Sequence, residues 1–152
     1  MRRIIFIMGS ILLLTACGGN NNKQQEAEDL LAQANTLFEQ KKYVEARACI
    51  DSLRRVYPNA IDTRKKALTL YQEIELKRTQ EELAITDSLL QQVQQEYDHL
   101  QAKVEKDKAA LRATPEELTM LTRTRMKRDS LRTQCETLGG KIRYIHKKMP
   151  LH

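Results

Sequence analysis

The chain has 152 residues, no Trp, 5% aromatic residues, 30% charged residues and a formal net charge of +6. Glu, Lys, Arg, Gln, Leu and Ala dominate while Gly and Pro are few, which is the composition of long helices with solvated faces. A sheet-rich domain would carry more Val, Ile, Tyr and turn glycines, so the composition excludes one. The length suits one ordinary domain, or a small domain with an extension.

The first predicted segment is an export signal at residues 1–16. Arg2 and Arg3 precede an apolar run from Ile4 to Leu14. This run is shorter than the roughly 18 apolar residues of a membrane-spanning helix, and no longer run follows. Small residues then lead directly into a cysteine, in the order Leu14, Thr15, Ala16, Cys17.

The stretch Leu14-Thr15-Ala16-Cys17 resembles the lipobox of bacterial lipoproteins. The resemblance implies cleavage before Cys17, diacylglycerol on its sulfur and a further acyl chain, such as palmitate, on its new amino group. Each buried methylene contributes about 0.8 kcal/mol, so two or three chains hold a protein stably on a membrane. We therefore expect a membrane-anchored envelope protein with no nucleic-acid partner. A plain secretory signal with a chance cysteine is the alternative.

Residues 17–25 predict a flexible tether, because no residue that follows Cys17 in this range has an apolar side chain to bury. The residue after Cys17 is Gly18 rather than Asp, which by resemblance to enterobacterial sorting favours the outer membrane. In lipoproteins of the Bacteroidetes type, acidic residues just after the cysteine favour surface display. In this chain the first acidic residue after Cys17 is Glu26, which does not directly follow the cysteine. The expected location is therefore the periplasmic face of the outer membrane.

Residues 26–60 predict a short helical hairpin. Two runs of apolar residues at helical spacing are separated by Gln40-Lys41-Lys42, and Pro58 ends the second run. The pattern resembles one tetratricopeptide repeat, and the residues that carry the resemblance are Leu30, Ala34, Leu37, Tyr43, Val44, Glu45, Ala46, Ile50, Leu53 and Pro58.

The resemblance fails after Tyr71, so it covers about 45 residues, whereas such repeats usually need about three copies for stability. One interpretation is that the next helix covers the apolar face left open, through Ile61, Leu68, Tyr71 and Ile74. The other is that a partner helix binds there. The second interpretation predicts an interaction surface of Leu30, Ala34, Leu37, Tyr43, Ala46 and Tyr71.

Residues 61–112 predict one long coiled-coil helix without Pro or Gly. Large side chains recur at intervals of seven, at Leu76, Leu83, Leu90, Tyr97, Val104 and Leu111. Val93 and Leu100 fill intermediate positions of this stripe, whereas Thr79, Thr86 and Asp107 interrupt it. A sustained repeat of seven residues predicts a left-handed coiled coil, and such a helix needs a partner along its stripe.

That partner is predicted at residues 115–148. Thr114, Pro115 and Glu117 form a helix start with an N-cap threonine, a first-turn proline and a capping-box glutamate. The turn would consist of Ala113 and Thr114 alone, so the helix should return antiparallel. Its stripe is interrupted by Thr124 and Arg128 and comprises Leu121, Leu131, Cys135, Leu138, Ile142, Ile145 and Met149.

The sequence therefore predicts an all-α fold, with a short tetratricopeptide-like hairpin followed by a long antiparallel two-helix coiled-coil hairpin. The alternative is that the same apolar stripes form a coiled coil between several copies of the chain. Cys49 and Cys135 have no CxxC spacing, and both a pair of thiols and a disulfide stay open.

No catalytic residue, metal site or cofactor is predicted. The three histidines, His99, His146 and His152, lie far apart in the sequence, and HExxH, GxSxG and glycine-rich phosphate loops do not occur. From Thr114 onward, nine basic side chains outnumber four acidic ones. They either solvate the helix or attract an acidic surface. The candidate basic patch is Arg123, Arg125, Lys127, Arg128 and Arg132.

These features favour a non-catalytic lipoprotein that acts as a scaffold or docking module for unidentified envelope proteins. One alternative is a structural coiled-coil spacer of the envelope. A third hypothesis is a module that binds acidic lipid or glycan through its basic C-terminal helix.

Overall fold

The computed structural model describes residues 21–149, which form four helices and no strand. The helices are α1 (Asn21–Glu39), α2 (Tyr43–Val56), α3 (Ile61–Ala109) and α4 (Pro115–Lys148). The prediction of an all-α fold with a long helical hairpin is confirmed. The predicted export signal and the lipobox with Cys17 lie outside the described residues.

Helices α1 and α2 form a hairpin, and the first turns of α3 complete a three-helix bundle. The turn after α1 is a Schellman motif, in which Lys41 adopts a φ of 59°. Lys42 N donates to Leu37 O and Lys41 N donates to Phe38 O, both at 2.9 Å. The apolar face that the hairpin leaves open is covered by α3. The buried core of the bundle consists of Leu31, Ala34, Ala46, Ile50, Leu53, Ala67, Leu70 and Ile74.

Residues 21–25 are part of α1, so the prediction of a flexible tether is wrong for them. Gln24 Nε2 donates to Glu28 Oε1 at 2.7 Å, one helical turn later. The same Nε2 lies 2.8 Å from Thr63 Oγ1 on α3. Glutamine is a good helix former, and the contact with α3 ties the first turn of α1 to the bundle. The sequence pattern missed this because the stabilising contacts are polar.

Helices α3 and α4 pack antiparallel within one chain. Near the turn, Lys103 Nζ donates to Glu117 Oε1 at 2.6 Å. Near the other end, Lys141 Nζ lies 3.0 Å from Glu75 Oε2. Helix α3 has 49 residues and is therefore about 74 Å long, at 1.5 Å per residue. The buried apolar side chains of the seam are Val93, Val104, Leu131, Leu138 and Ile145.

The threonines that interrupt the two predicted stripes lie inside this seam. Thr79, Thr86 and Thr124 are all buried. Thr79 Oγ1 donates to Glu75 O at 2.6 Å, and Thr86 Oγ1 donates to Glu82 O at 2.8 Å. Because each of these two hydroxyls bonds to a carbonyl of its own helix, its burial leaves no unsatisfied donor.

The turn between α3 and α4 is longer than predicted. Helix α3 ends at Ala109 rather than at residue 112, and Leu111 adopts a φ of 57°. Arg112 N donates to Asp107 O at 2.7 Å and Leu111 N donates to Lys108 O at 3.0 Å, which is a second Schellman motif. Leu111 is 96% exposed, so it is not part of the coiled-coil stripe. The predicted capping box that starts α4 at Thr114 is confirmed.

Candidate functional site

The two long helices differ in length, so α4 does not cover the first part of α3. Helix α3 has 49 residues and α4 has 34. Since they run antiparallel from a shared turn, α4 ends beside the first half of α3. Gln72 Nε2 on α3 donates to Lys148 O, the last carbonyl of α4, at 3.3 Å. Residues 61–71 therefore lie beyond the end of α4.

One face of this segment is buried and the opposite face is open. Thr63, Ala67, Leu70 and Ile74 are buried towards α1 and α2. At about 100° per residue, Ile61 and Leu68 lie on the other face, in line with the seam residue Thr79. Ile61 is 57% exposed and Leu68 is 49% exposed. Met149, which follows Lys148, is described and partly buried, and no other described residue continues the path of α4 along α3.

This open path forms a groove, which we call the junction groove. The part beside the end of α4, which we call the upper part, has a volume of about 410 Å³. It is lined by Leu68, Tyr71, Gln72, Glu75, Lys141, Tyr144, Ile145 and Lys148. The part beside the start of α3, which we call the lower part, has a volume of about 230 Å³ and is lined by Arg54, Ile61, Arg64, Lys65 and Leu68. Leu68 lines both parts, so they are adjacent.

Two tyrosines shape the upper part of the junction groove. Tyr144 on α4 is 62% exposed, and Lys148 Nζ lies 5.7 Å from the centroid of its ring. Tyr71 on α3 is held by Arg47 of α2. The guanidinium of Arg47 lies 5.1 Å from the centroid of the Tyr71 ring, and Arg47 Nη2 donates to the Tyr71 hydroxyl at 3.1 Å. Such cation–π contacts orient an aromatic ring without covering its edge.

Glu75 fixes the position of α4 against the bundle. Its Oε1 lies 2.9 Å from Arg47 Nη1 on α2, and its Oε2 lies 3.0 Å from Lys141 Nζ on α4. The Glu75 side chain is only 14% exposed, so this carboxylate is shielded more than a surface ion pair. One side chain therefore links three helices at the wall of the groove.

The rim of the groove is basic. Of the lining residues, one is acidic, Glu75, and it is already engaged by Arg47 and Lys141. Five are basic, namely Arg54, Arg64, Lys65, Lys141 and Lys148. Among the ion pairs of residues 21–149, none involves Arg54, Arg64 or Lys148. An apolar floor is thus surrounded by positive charge, which attracts acidic groups.

The interaction surface predicted from the sequence is mostly core. Ala34 and Ala46 are fully buried, so the prediction is wrong for these two residues. Leu30, Leu37 and Tyr43 are partly buried and pack against the same core. The reason is that α3 covers the open face of the α1–α2 hairpin. Tyr71 is the member of the predicted set that lines the junction groove.

The predicted basic patch on α4 does not form one surface. The Arg128 side chain is only 13% exposed and lies over the ring of Tyr97, so its inclusion is wrong. A hydrogen bond to Asp129 raises the pKa of Arg128 and lowers the pKa of Asp129. At about 100° per residue, Arg125 and Arg132 lie on one side of α4, and Arg123 and Lys127 lie on the opposite side.

The two cysteines of the described chain are free thiols in different places. Cys49 packs against the bundle core, whereas Cys135 lies on α4, where burial raises the pKa of its thiol. In residues 21–149, no group of three or more His, Cys, Asp or Glu side chains is placed to hold a metal ion. No helix in that range is both long enough and apolar enough to cross a membrane.

Comparison with known proteins gives no match to any protein-family model, curated protein or solved structure. The resemblances to the lipobox and to the tetratricopeptide repeat therefore remain predictions.

Several residues of the junction groove were not predicted as a site, among them Leu68, Lys141, Tyr144 and Lys148. The signal that could have found them was present in the predicted helix lengths. Two antiparallel helices of unequal length that share a turn must leave the free end of the longer one uncovered. On α3 that free end carries Ile61 and Leu68.

Proposed function

We propose that this protein is a non-catalytic lipoprotein, anchored through Cys17 to the periplasmic face of the outer membrane, that docks other envelope proteins. The observation that carries the docking role is the junction groove. Leu68 and Tyr144 expose apolar surface inside a concave site with a basic rim. Apolar surface gathered in a groove is typical of a binding site rather than of ordinary solvent-exposed helix.

The anchor would hold this groove close to the membrane. The described part of α1 starts at Asn21, four positions after Cys17, and four residues of chain reach at most about 14 Å. Gln24 contacts Thr63, which places the start of α3 at the same end of the bundle as the start of α1. Ile61, in the lower part of the groove, belongs to that end. A protein docked there would lie near the lipid headgroups.

The anchor is tested by labelling cells that express the full chain with a palmitate analogue. We expect the label on the wild-type chain and recovery of the chain in the outer-membrane fraction. Cys17→Ser should lose both the label and membrane recovery, whereas the matched variant Cys49→Ser should keep both. Absence of label from the wild-type chain would disprove the anchor.

The docking role is tested by placing a photo-crosslinking amino acid at position 68 in the native envelope. We expect a crosslink to one defined protein. The matched control is position 85, because Ile85 is also an exposed apolar residue of α3 but does not line the groove. A crosslink of equal yield at position 85, or none at position 68, would contradict docking through the groove.

A structural spacer is the second candidate, and the length of the hairpin favours it. Tyr43 donates to Glu81 beside the α1–α2 turn, so residues 82–109 of α3 extend past the bundle by about 42 Å. Removing residues 90–96 together with 128–134 would shorten both helices by one heptad. A docking protein should keep its crosslink at position 68 and its function. Loss of function with an unchanged crosslink would favour the spacer.

A further inference from the structure

We infer that the junction groove binds a short, acidic, amphipathic helix of a partner protein, which lies along α3 where α4 has ended. This inference rests on the proposed docking function and adds the chemistry of the partner. Its two arguments are the shape of the open path and the charge around it.

The shape argument starts from the face on which α4 packs. Ile61 and Leu68 continue the seam face of α3 past the end of α4, and a helix already occupies that face from Gln72 onward. Residues 61–71 span about 16 Å, which is the length of three helical turns. A helix that presents apolar side chains at i, i+3 or i+4, and i+7 would match this floor. Tyr144 and Lys148 form the end wall.

The charge argument selects an acidic helix. Basic groups come from three helices, with Arg54 on α2, Arg64 and Lys65 on α3, and Lys141 and Lys148 on α4. They therefore surround the apolar floor instead of lining one side of it. Lys141 is engaged by Glu75 and Lys65 by Asp62, so the charges of the rim that no acidic side chain of residues 21–149 pairs are those of Arg54, Arg64 and Lys148. A partner helix should carry Asp or Glu on both flanks of its apolar stripe.

A flat lipid surface fits this site less well. Leu68 lies between Arg54 of α2 and Lys148 of α4, so the apolar surface there is bordered on two sides by other helices rather than spread over a flat face. A helix, which is about 10 Å wide, can enter a path that another helix of the same chain already follows. The concave shape thus favours a peptide over a membrane.

The experiment uses the full chain in phosphatidylcholine nanodiscs and an unbiased displayed library of peptides of about 14 residues, roughly 21 Å as a helix. We expect the selected peptides to share apolar residues at helical spacing with Asp or Glu beside them. A synthetic copy of the best peptide should gain helicity on binding, and added salt should weaken it. A library that yields no binder, or binders without acidic residues, would overturn the inference.

Variants locate the binding site. Leu68→Glu and Lys148→Glu should each weaken the selected peptide about tenfold or more. Ile85→Glu makes the same kind of change at an exposed apolar position outside the groove, and it should leave binding unchanged. Because Leu68 and Lys148 are exposed, both groove variants should keep the wild-type helical content and melting temperature. The inference would be overturned if all three variants lost affinity for the peptide equally, or if neither groove variant lost any.

The other occupants give distinct results. Binding of the nanodisc-held chain to phosphatidylglycerol vesicles that depends on Leu68 and Lys148 would assign the groove to acidic lipid and overturn the inference. Self-association abolished by Leu68→Glu would assign it to a second copy and do the same. If position 68 crosslinks a protein whose contact segment is not acidic, the docking function stands and the inference fails. Failure of palmitate labelling would affect only the anchor.

Discussion

The guanidinium of Arg128 on α4 lies over the ring of Tyr97 on α3, with its Cζ 4.1 Å from the ring centroid. Arg128 occupies a seam position that an apolar residue would normally fill. Its Nε and Nη2 donate to Asp129 Oδ1 at 2.9 Å and 2.6 Å, so the charge stays paired while the aliphatic stem packs. The arginine that interrupts the stripe is thus part of the contact between the helices.

We expect a measurable coupling between these two residues. In a double-mutant cycle with Tyr97→Leu and Arg128→Met, the coupling should be about 0.5–1 kcal/mol, because the stacked pair is lost while apolar packing is kept. Urea unfolding followed by circular dichroism measures it. The control cycle pairs Tyr97→Leu with Arg125→Met, whose coupling should be near zero because Arg125 points to solvent. Equal coupling in both cycles would contradict the stacking contact.

The stability of the hairpin turn should depend on pH through Glu117. Hydrogen bonds from Lys103 and then from the backbone N–H of Thr114 lower the pKa of Glu117 below its ordinary value of 4.5. A carboxyl whose folded pKa is depressed stabilises the fold above its unfolded pKa, and this contribution is lost as pH falls through the folded pKa.

The unfolding free energy of the wild-type chain should therefore fall more steeply below pH 4.5 than that of Glu117→Gln. Urea titrations between about pH 3 and pH 6 measure the slope. Glu116→Gln is the matched control, since Glu116 makes no ion pair with any residue of the described range. The Lys103–Glu117 contact would be ruled out as the cause if both variants behaved alike.

Replacing Leu111 with glycine should stabilise the protein. Leu111 has a φ of 57°, where a side chain is strained, and it is 96% exposed, so little packing is lost. Leu111→Gly should raise the unfolding free energy by about 1 kcal/mol. Ala110→Gly tests the specificity, because Ala110 has a φ of −88° and gains nothing from glycine. A lower melting temperature for Leu111→Gly would argue against a strained turn.

Replacing the buried hydroxyl of Thr79 with a methyl group should also stabilise the hairpin. The carbonyl of Glu75 that accepts from Thr79 Oγ1 lies within the helical backbone, so losing this bond costs little. Thr79→Val should add about 0.5–1 kcal/mol in urea unfolding. Thr133 makes the same type of bond at 3.1 Å to Asp129 O but is exposed, so Thr133→Val should change stability by less than about 0.3 kcal/mol. Similar gains from both would show that burial is not the cause.

The sequence by itself determined the features that depend on local spacing. The capping box at Thr114 and Glu117 needs only residues three apart, and the stripes of α3 and α4 need only a repeat of seven. The resemblance of Leu14-Thr15-Ala16-Cys17 to a lipobox also rests on a local pattern, and it stays a prediction. Such features can be predicted because the residues that create them are neighbours in the chain.

Only the tertiary structure decided which surfaces stay open. Ala34 and Ala46 became core because α3 packs over them, and Arg128 became buried because Tyr97 lies opposite. The junction groove exists because α4 ends beside Gln72 while α3 continues to Ile61. Exposure depends on where a distant partner helix begins and ends, and that is set by the packing of the whole chain rather than by local periodicity.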